Sequence, residues 1–458
     1  MNSTTLALLG GTPIAPHVKP QFPAFDRATI RAATSLLERG ETVGLGRSNA
    51  TIAAVEKIIS AYHGGRQALV LGSGHAALMS ALMGLEIGPG DEVITTPYTW
   101  GASTSCILAV GALPVFADVD PVTGLLDPAG IEGAITPKTK AVLVVHIYGQ
   151  PADMPAINRI ARRRGLFVIE DGSHAHGATI NGRVVGNFSD AAGFSCMGGK
   201  LLATAEAGYL VTPHKDVFWK AAMMGQHYGR SGEEGFPEKL KPFADSLVYT
   251  FRLSPVIAAL FPGQFRRLDA QVKARQENMA VLAHGIKDCP AVILPTPRRG
   301  FASACYYLTM NFNPDAAGIA RETFCKALIA EGVGAWPYVP DGIHHWRRLQ
   351  WKRYDGPKPF WLPWLEAAQT DYTALDLPGC DHKIEHAIEI CCVNYYKPAH
   401  ALMKRMAAAF AKIMDNLPAL RAYQHEQERA RAKRDSRIVA AAKRAAAAYR
   451  PSKTNRTR

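Results

Sequence analysis

The chain has 458 residues, a formal net charge of +13, 48% hydrophobic residues and 20% charged ones. Those values suit a large folded protein with core enough for two domains, and they exclude a disordered or collagen-like chain. No apolar run reaches the roughly 18 residues of a membrane span, and no charged n-region with an apolar stretch and cleavage site opens the chain. The eight cysteines, at 106, 196, 289, 305, 325, 380, 391 and 392, show no paired metal-ligand spacing. Reduced thiols, a cytoplasmic location, no metal and no membrane partner are the expectations.

The first strand-like run is Ala68 to Leu71. It is closed by Gly72-Ser-Gly, and an Ala/Leu/Met helix pattern follows over Ala76 to Gly84. Free N–H groups at such a helix start make a phosphate cradle. A lone Gly-x-Gly also opens many helices that bind nothing. Further apolar runs at Glu92 to Thr95, Pro114 to Ala117 and Ala141 to Ile147 alternate with helical stretches such as Met154 to Arg164. This alternation predicts an α/β fold with a mostly parallel sheet covered on both faces.

Leu166 to Ile169 reads as a buried parallel strand, with Glu170 and Asp171 at its C-terminal end, where open α/β sheets place ligand groups. A carboxylate there can keep a pyridine nitrogen protonated; equally, Asp171 could cap a helix starting just after it. Next come the short run Ala191 to Ser195 and the segment Phe194 to Gly208, Phe-Ser-Cys-Met-Gly-Gly-Lys-Leu-Leu-Ala-Thr-Ala-Glu-Ala-Gly, in which Lys200 stands alone among small and apolar residues. Apolar surroundings disfavour the ammonium form and free the amine to attack carbonyls. A surface lysine in a Gly-rich loop is the alternative reading. Gly208 to Thr212 is a further strand.

After Arg252 the pattern changes. Phe265 to His284 reads as a long helix, Tyr306 to Asn311 as a strand and Arg321 to Glu331 as a helix, an α+β unit. The segment Trp336 to Trp364, rich in Trp, Tyr, Pro and His, reads as an active-site lid in preference to a packed connection. Arg421 to Arg458 carries 12 Lys or Arg against 3 Asp or Glu, a net of +9 that leaves only +4 for the rest. It is Ala-rich and helix-favouring to Tyr449, with a frayed end after Pro451. Lacking interleaved aromatics, it reads as a solvated helix or tail, not a nucleic-acid site. The domains expected are 1–264 with an N-terminal arm, 265–420, and the basic tail 421–458.

Taken together these pieces resemble the DegT/StrS-type sugar aminotransferases, a branch of the fold-type I pyridoxal-phosphate enzymes. The elements stand in the family's order: Leu-Ala-Leu-Leu-Gly-Gly-Thr-Pro (6–13), Gly72 to Leu78, Thr96-Pro-Tyr-Thr-Trp-Gly-Ala-Ser (96–103), Gly111 to Asp118, His146-Ile-Tyr-Gly-Gln (146–150), Glu170 to Ala178, Phe194 to Gly208, Phe251-Arg-Leu-Ser-Pro (251–255) and Ala330-Glu-Gly-Val (330–333). They span about Leu6 to Asn416.

The resemblance implies pyridoxal 5'-phosphate as cofactor. Lys200 would hold it as a Schiff base and move the substrate proton, and Asp171 would pair with the pyridine nitrogen. His174 would sit near the ring hydroxyl and Trp100 would stack on the ring. Gly74, His75 and Ser195 would hold the phosphate. Thr250 stands where the family often has an asparagine reaching the neighbouring subunit's cofactor, and Arg252 is a candidate for substrate or interface, so a homodimer is expected. Family members with histidine in place of the lysine are dehydratases; this chain keeps the lysine. It departs from the usual Gly-Glu-Gly-Gly with Ala205-Glu-Ala-Gly208. The activity implied is transfer of an amino group from glutamate or glutamine to a keto-sugar, sugar nucleotide or keto-cyclitol, in natural-product (antibiotic) biosynthesis. The look is closest to the cyclitol aminotransferase and 3-amino-5-hydroxybenzoate synthase branch. Elimination or decarboxylation on the same fold, and a non-catalytic regulatory or binding role, are the competing readings.

Overall fold

The computed structural model describes residues 5–16 and 21–448, with side chains through residue 443. Its larger sheet has seven strands: β1 Gln67–Leu71, β2 Glu92–Thr95, β3 Leu113–Phe116, β4 Thr139–Val145, β5 Phe167–Asp171, β6 Ala191–Ser195 and β7 Gly208–Thr212. Their spatial order is β1-β7-β6-β5-β4-β2-β3. Only β7 runs against the others, pairing antiparallel with both β1 and β6. The sheet is therefore mostly parallel, as the strand–helix alternation predicts. The strands are Val/Ile/Leu-rich and buried along nearly their whole length because helices cover both faces.

The helix Gly74–Gly84 follows β1 directly and has nine buried residues on all sides. It starts two residues earlier than the apolar pattern, because Ser73 caps it: the Ser73 hydroxyl accepts from the N–H of Ala76. The expected strand Ala141–Ile147 lies two residues earlier, at Thr139–Val145, and Ile147 opens a tight turn that ends at Gly149. No helix follows Asp171. Its Oδ1 accepts from the N–H of Ser173 across a turn, so the capping alternative is overturned.

A four-stranded antiparallel sheet forms the second unit: β8 Val292–Ile293, β9 Tyr307–Phe312, β10 Ala335–Trp336 and β11 Ala387–Cys391, in the order β8-β9-β11-β10. The long helix is Phe261–Ile286 and starts four residues before the sequence pattern, so it straddles position 264. The chain's opening belongs to this second unit. Leu6 and Ala15 lie in its core with Phe324, Phe410 and Met403. Glu331 accepts from the N–H groups of Ala7 and Ile14 and pairs with Lys412 at 2.8 Å. Sequence reading grouped that arm with the large sheet. A buried carboxylate attracts donors wherever the chain brings them, and residues 6–15 carry no trace of that partner in their own sequence.

Between the strand Ala335–Trp336 and the helix Leu362–Ala367 the chain forms three short 3-10 turns, and Val339, Ile343 and Leu349 are buried in the core of the larger sheet. The N–H of Ile343 donates to Pro97 O at 2.9 Å, and the indole of Trp351 donates to Thr370 O at 2.7 Å. The segment is a packed connection along the site's border. The basic helix runs Leu417–Ala448, exposed over most of the described part; the frayed end expected beyond Pro451 lies outside the described residues.

Candidate active site

The C-terminal ends of β1, β5 and β6 bring the predicted residues to one place. Lys200 sits in the loop between β6 and β7, and that loop is tightly laced. The N–H of Cys196 donates to Ala207 O (2.8 Å), that of Gly198 to Ala205 O (3.0 Å), that of Thr204 to Cys196 O (2.8 Å) and that of Lys200 itself to Met197 O (2.9 Å). The lysine is buried, and burial lowers its ammonium pKa to about 8 even though the charge of Asp171 opposes the shift. Among the described residues no oxygen accepts from its Nζ, which lies 5.1 Å from the centre of the Tyr306 ring. The surface-lysine reading is excluded by this burial.

Alternation along β5 separates its two carboxylates. Glu170 points away from the site, where His146 Nε2 (2.9 Å), the Ser189 hydroxyl (2.6 Å) and the N–H groups of Gly186 (2.7 Å) and Phe188 (2.9 Å) donate to it. Burial raises its pKa, but those donors outweigh burial and leave it below the ordinary value. The N–H of Ala152 donates to His146 Nδ1, which fixes Nε2 as the protonated nitrogen. Glu170 is thus spent on structure. Asp171 instead faces Lys200, with the Ser103 hydroxyl donating to Oδ2 at 2.8 Å and the Ser173 N–H to Oδ1 at 3.0 Å.

His174 is buried with its ring 4.2 Å from that of Tyr306, at 31°. Its Nε2 meets the Tyr338 hydroxyl at 3.4 Å and its Nδ1 has no partner. Burial first, and then the nearby Lys200 charge, hold the ring well below its ordinary pKa, so it is neutral. Tyr306 is itself tied to the large sheet: its N–H donates to Tyr148 O at 3.0 Å.

The cradle is defined by how closely backbone approaches backbone. A Cβ on Gly74 would lie 2.5 Å from Ser195 Cβ, and one on Gly208 would lie 2.2 Å from Ser73 O and 2.6 Å from Gly74 N. Side chains cannot enter there, and this accounts for glycine at 208 although the preceding Ala205 and Ala207 depart from the family pattern. The first helical turn leaves the N–H groups of Gly74 and His75 without intrahelical acceptors. The His75 ring meets the Ser105 hydroxyl at 3.0 Å, and burial lowers its pKa. The free N–H groups, the orphaned His174 Nδ1 and the unpartnered Lys200 amine together fit a phosphate-bearing pyridine aldehyde.

Three of the predicted residues lie at the rim. Trp100 is 64% exposed, which rules out a core tryptophan. Thr250 is exposed with a left-handed backbone (φ 51°), and Arg252 is half-buried with no hydrogen bond or ion pair to its guanidinium among the described residues. They flank Phe251, whose carbonyl accepts from the N–H of Gly72 at the cradle (2.8 Å). Neither side chain bonds to the cradle. Sequence reading missed Ser103, Ser173, Tyr306 and Tyr338. Ser103 ends a quoted family stretch, but nothing in a serine's surroundings announces a carboxylate 68 residues away.

The profile of the DegT/DnrJ/EryC1/StrS aminotransferase family matches residues 25–371. L-glutamine:scyllo-inosose aminotransferase of Streptomyces griseus is 31% identical over 90% of this chain and 98% of the relative. UDP-N-acetyl-3-dehydro-alpha-D-glucosamine 3-aminotransferase of Acidithiobacillus ferrooxidans is 36% identical over 63% of this chain and 74% of the relative. The crystal structure of 3-amino-5-hydroxybenzoic acid synthase superposes with a TM-score of 0.72, covering 88% of this chain and all of that one at 24% identity, and so shares the fold.

Proposed function

Since the chain belongs to the DegT/DnrJ/EryC1/StrS aminotransferase family, we propose that it moves an amino group from L-glutamine or L-glutamate to a keto-cyclitol or a keto-sugar nucleotide in natural-product biosynthesis, with pyridoxal 5'-phosphate as cofactor. The observation that carries this reading is Lys200: a buried amine whose pKa burial lowers to about 8, without an acceptor among the described residues, near Asp171 at the C-terminal end of the sheet. The cofactor, when bound, supplies the electron sink that lets a substrate C–H bond break at an amine-bearing carbon.

The chain's own residues do the rest. Asp171, oriented by Ser103 and Ser173, holds a positive charge on the pyridine nitrogen. His174 stays neutral and offers Nδ1 to the ring hydroxyl, while Tyr338 fixes its other nitrogen. The N–H groups of Gly74 and His75, with Ser195, receive the phosphate. Lys200 would hold the cofactor covalently and, once released by a substrate amine, its free amine would be the group placed to carry the substrate proton, a role suited to an amine whose pKa lies near 8. Trp100 offers an exposed indole face for the ring.

A homodimer is part of this reading. Phe243, Leu247, Tyr249 and Tyr228 expose large apolar surface on the segment leading to Thr250 and Arg252, where a second subunit would cover it. Purified protein incubated with L-glutamine and scyllo-inosose, or with a UDP-3-ketosugar, should yield the aminated product by mass spectrometry. Failure with every keto acceptor of both classes, together with release of carbon dioxide or water from an amino substrate, would overturn amino transfer.

A further inference from the structure

Outside the site already described, one cluster leaves buried polarity unanswered. His344 lies on the turn Ile343–His345 with 1% of its side chain exposed, and neither ring nitrogen has a hydrogen-bond partner. A neutral imidazole carries one donor and one acceptor, so both are stranded in the protein interior. Its Nε2 lies 4.0 Å from Asp381 Oδ1, too far for a hydrogen bond. His345, next in the chain, has its ring centre 3.8 Å from that of His344, with the rings tilted by 45°.

We propose that His344, His345 and Asp381 bind one divalent transition-metal ion, zinc suiting the donors best. One ligand atom from each of the three lies within 4.8 Å of the others. Zinc holds imidazole nitrogen and carboxylate oxygen at about 2.0–2.2 Å, which sets ligand atoms roughly 3.4 Å apart on a tetrahedron. A 4.0 Å gap between His344 and Asp381 is close to that spacing. His345 and Asp381 are both largely exposed and free to close the remainder by rotation about their side-chain bonds.

Asp341 supplies the outer support such sites use. Its Oδ1 lies 2.8 Å from His345 Nδ1, which leaves His345 Nε2 for the ion and fixes the ring's tautomer. Two imidazoles and one carboxylate select zinc or cobalt over magnesium or calcium. The ion would join the turn to the helix Pro378–His386, which carries Asp381. That turn is bonded to Pro97 through Ile343, and a Cβ on Gly101 would lie 2.8 Å from the Trp346 ring. Binding there would fix the 336–364 segment along the border of the amino-transfer site, a structural role independent of the chemistry proposed for Lys200.

The test is titration of the full-length, cofactor-loaded protein with zinc against a chromophoric chelator, after prior treatment with EDTA. The double variant His345→Ala/Asp381→Asn changes exposed side chains only, whereas His344→Ala empties a packed position. A control, His382→Ala/His386→Ala, removes a rival histidine pair whose rings stack at 4.2 Å on the same helix. One zinc per chain is expected in the starting protein and in the control, with affinity at least about tenfold weaker in the first variant. Zinc should also slow proteolysis of the 336–364 segment in the starting protein and the control but not in the first variant, and cobalt should give tetrahedral absorption in the same two proteins only. Equal zinc affinity in the starting protein and the first variant, or loss of binding only in the control, would overturn the site.

Discussion

Lys200 and Lys383 are both buried, and burial pulls each to a pKa of about 8. Lys383, on the helix Pro378–His386, donates to Val122 O (2.8 Å), Thr309 Oγ1 (2.9 Å) and Asn311 Oδ1 (2.7 Å), with Glu389 nearby. Lys200 donates to none of the described residues and looks across the Tyr306 ring. The pKa therefore does not separate a catalytic amine from a structural one. Hydrogen-bond satisfaction does: Lys383 has its three donors occupied and joins the two sheets, whereas Lys200 keeps its amine available for a ligand.

The same contrast holds for the carboxylates. Glu389 accepts from the N–H of Tyr338 (2.8 Å) and the hydroxyls of Thr309 (3.0 Å) and Tyr98 (3.4 Å), and Glu170 has four donors; both are engaged in holding the fold together. Asp171 has two donors, the Ser103 hydroxyl and the Ser173 N–H, which orient it beside Lys200.

The sharpest break of the comparison is to delete each lysine. Lys200→Ala should abolish amino transfer by about 10⁴-fold or more while the melting temperature changes little, as steady-state kinetics and thermal melts would show. Lys383→Met should do the reverse, costing about 3 kcal/mol of stability by leaving Asn311 Oδ1 and Val122 O unpaired beside an uncompensated Glu389, while retaining covalent cofactor. Comparable activity losses from both would erase the distinction. Next in size, Asp171→Asn should lower turnover by about 10²–10³-fold, and Glu170→Gln should lower stability more than turnover.

The pH dependence follows from Lys200. Only its neutral form attacks an aldehyde, so covalent uptake of added pyridoxal phosphate by the cofactor-free protein should accelerate as pH rises through about 8 and level off above it. An uptake rate still climbing near pH 10 would mean an exposed lysine. The stability sign agrees: the folded pKa lies below the unfolded one, so the unfolded chain holds more protons between about 8 and 10.5, and the cofactor-free fold gains stability as pH rises across that window. The smallest effect expected is Tyr338→Phe, which removes one 3.4 Å contact to His174 and should lower turnover by only about two- to tenfold.

The sequence makes the larger sheet readable because each buried parallel strand is a continuous apolar run and each crossover helix has its own period. Lys200, Asp171, His174 and the Gly72–His75 turn are legible for a related reason: each stands next to such a strand, so the fold itself carries it to the sheet's C-terminal edge. Ser103, Tyr306 and Tyr338 escape notice because their partners are distant in sequence and their types are common. The attachment of the 6–15 arm to the second core escapes for the same reason. It depends on Glu331, a single carboxylate more than 300 residues away. The 336–364 segment looked like a lid by composition, yet Ile343 and Leu349 are core residues, and aromatic richness alone does not distinguish a cover from a filling.

The role of Lys200 is tested most directly by the visible spectrum of the purified protein and of Lys200→Ala, each reconstituted with pyridoxal phosphate and then given L-glutamine or L-glutamate. The unaltered protein should show a yellow lysine-bound band that converts to the pyridoxamine form with at least one donor, and the variant should show no such band. A protein that stays colourless after reconstitution, or a Lys200→Ala variant with the same band and the same conversion, would contradict that role.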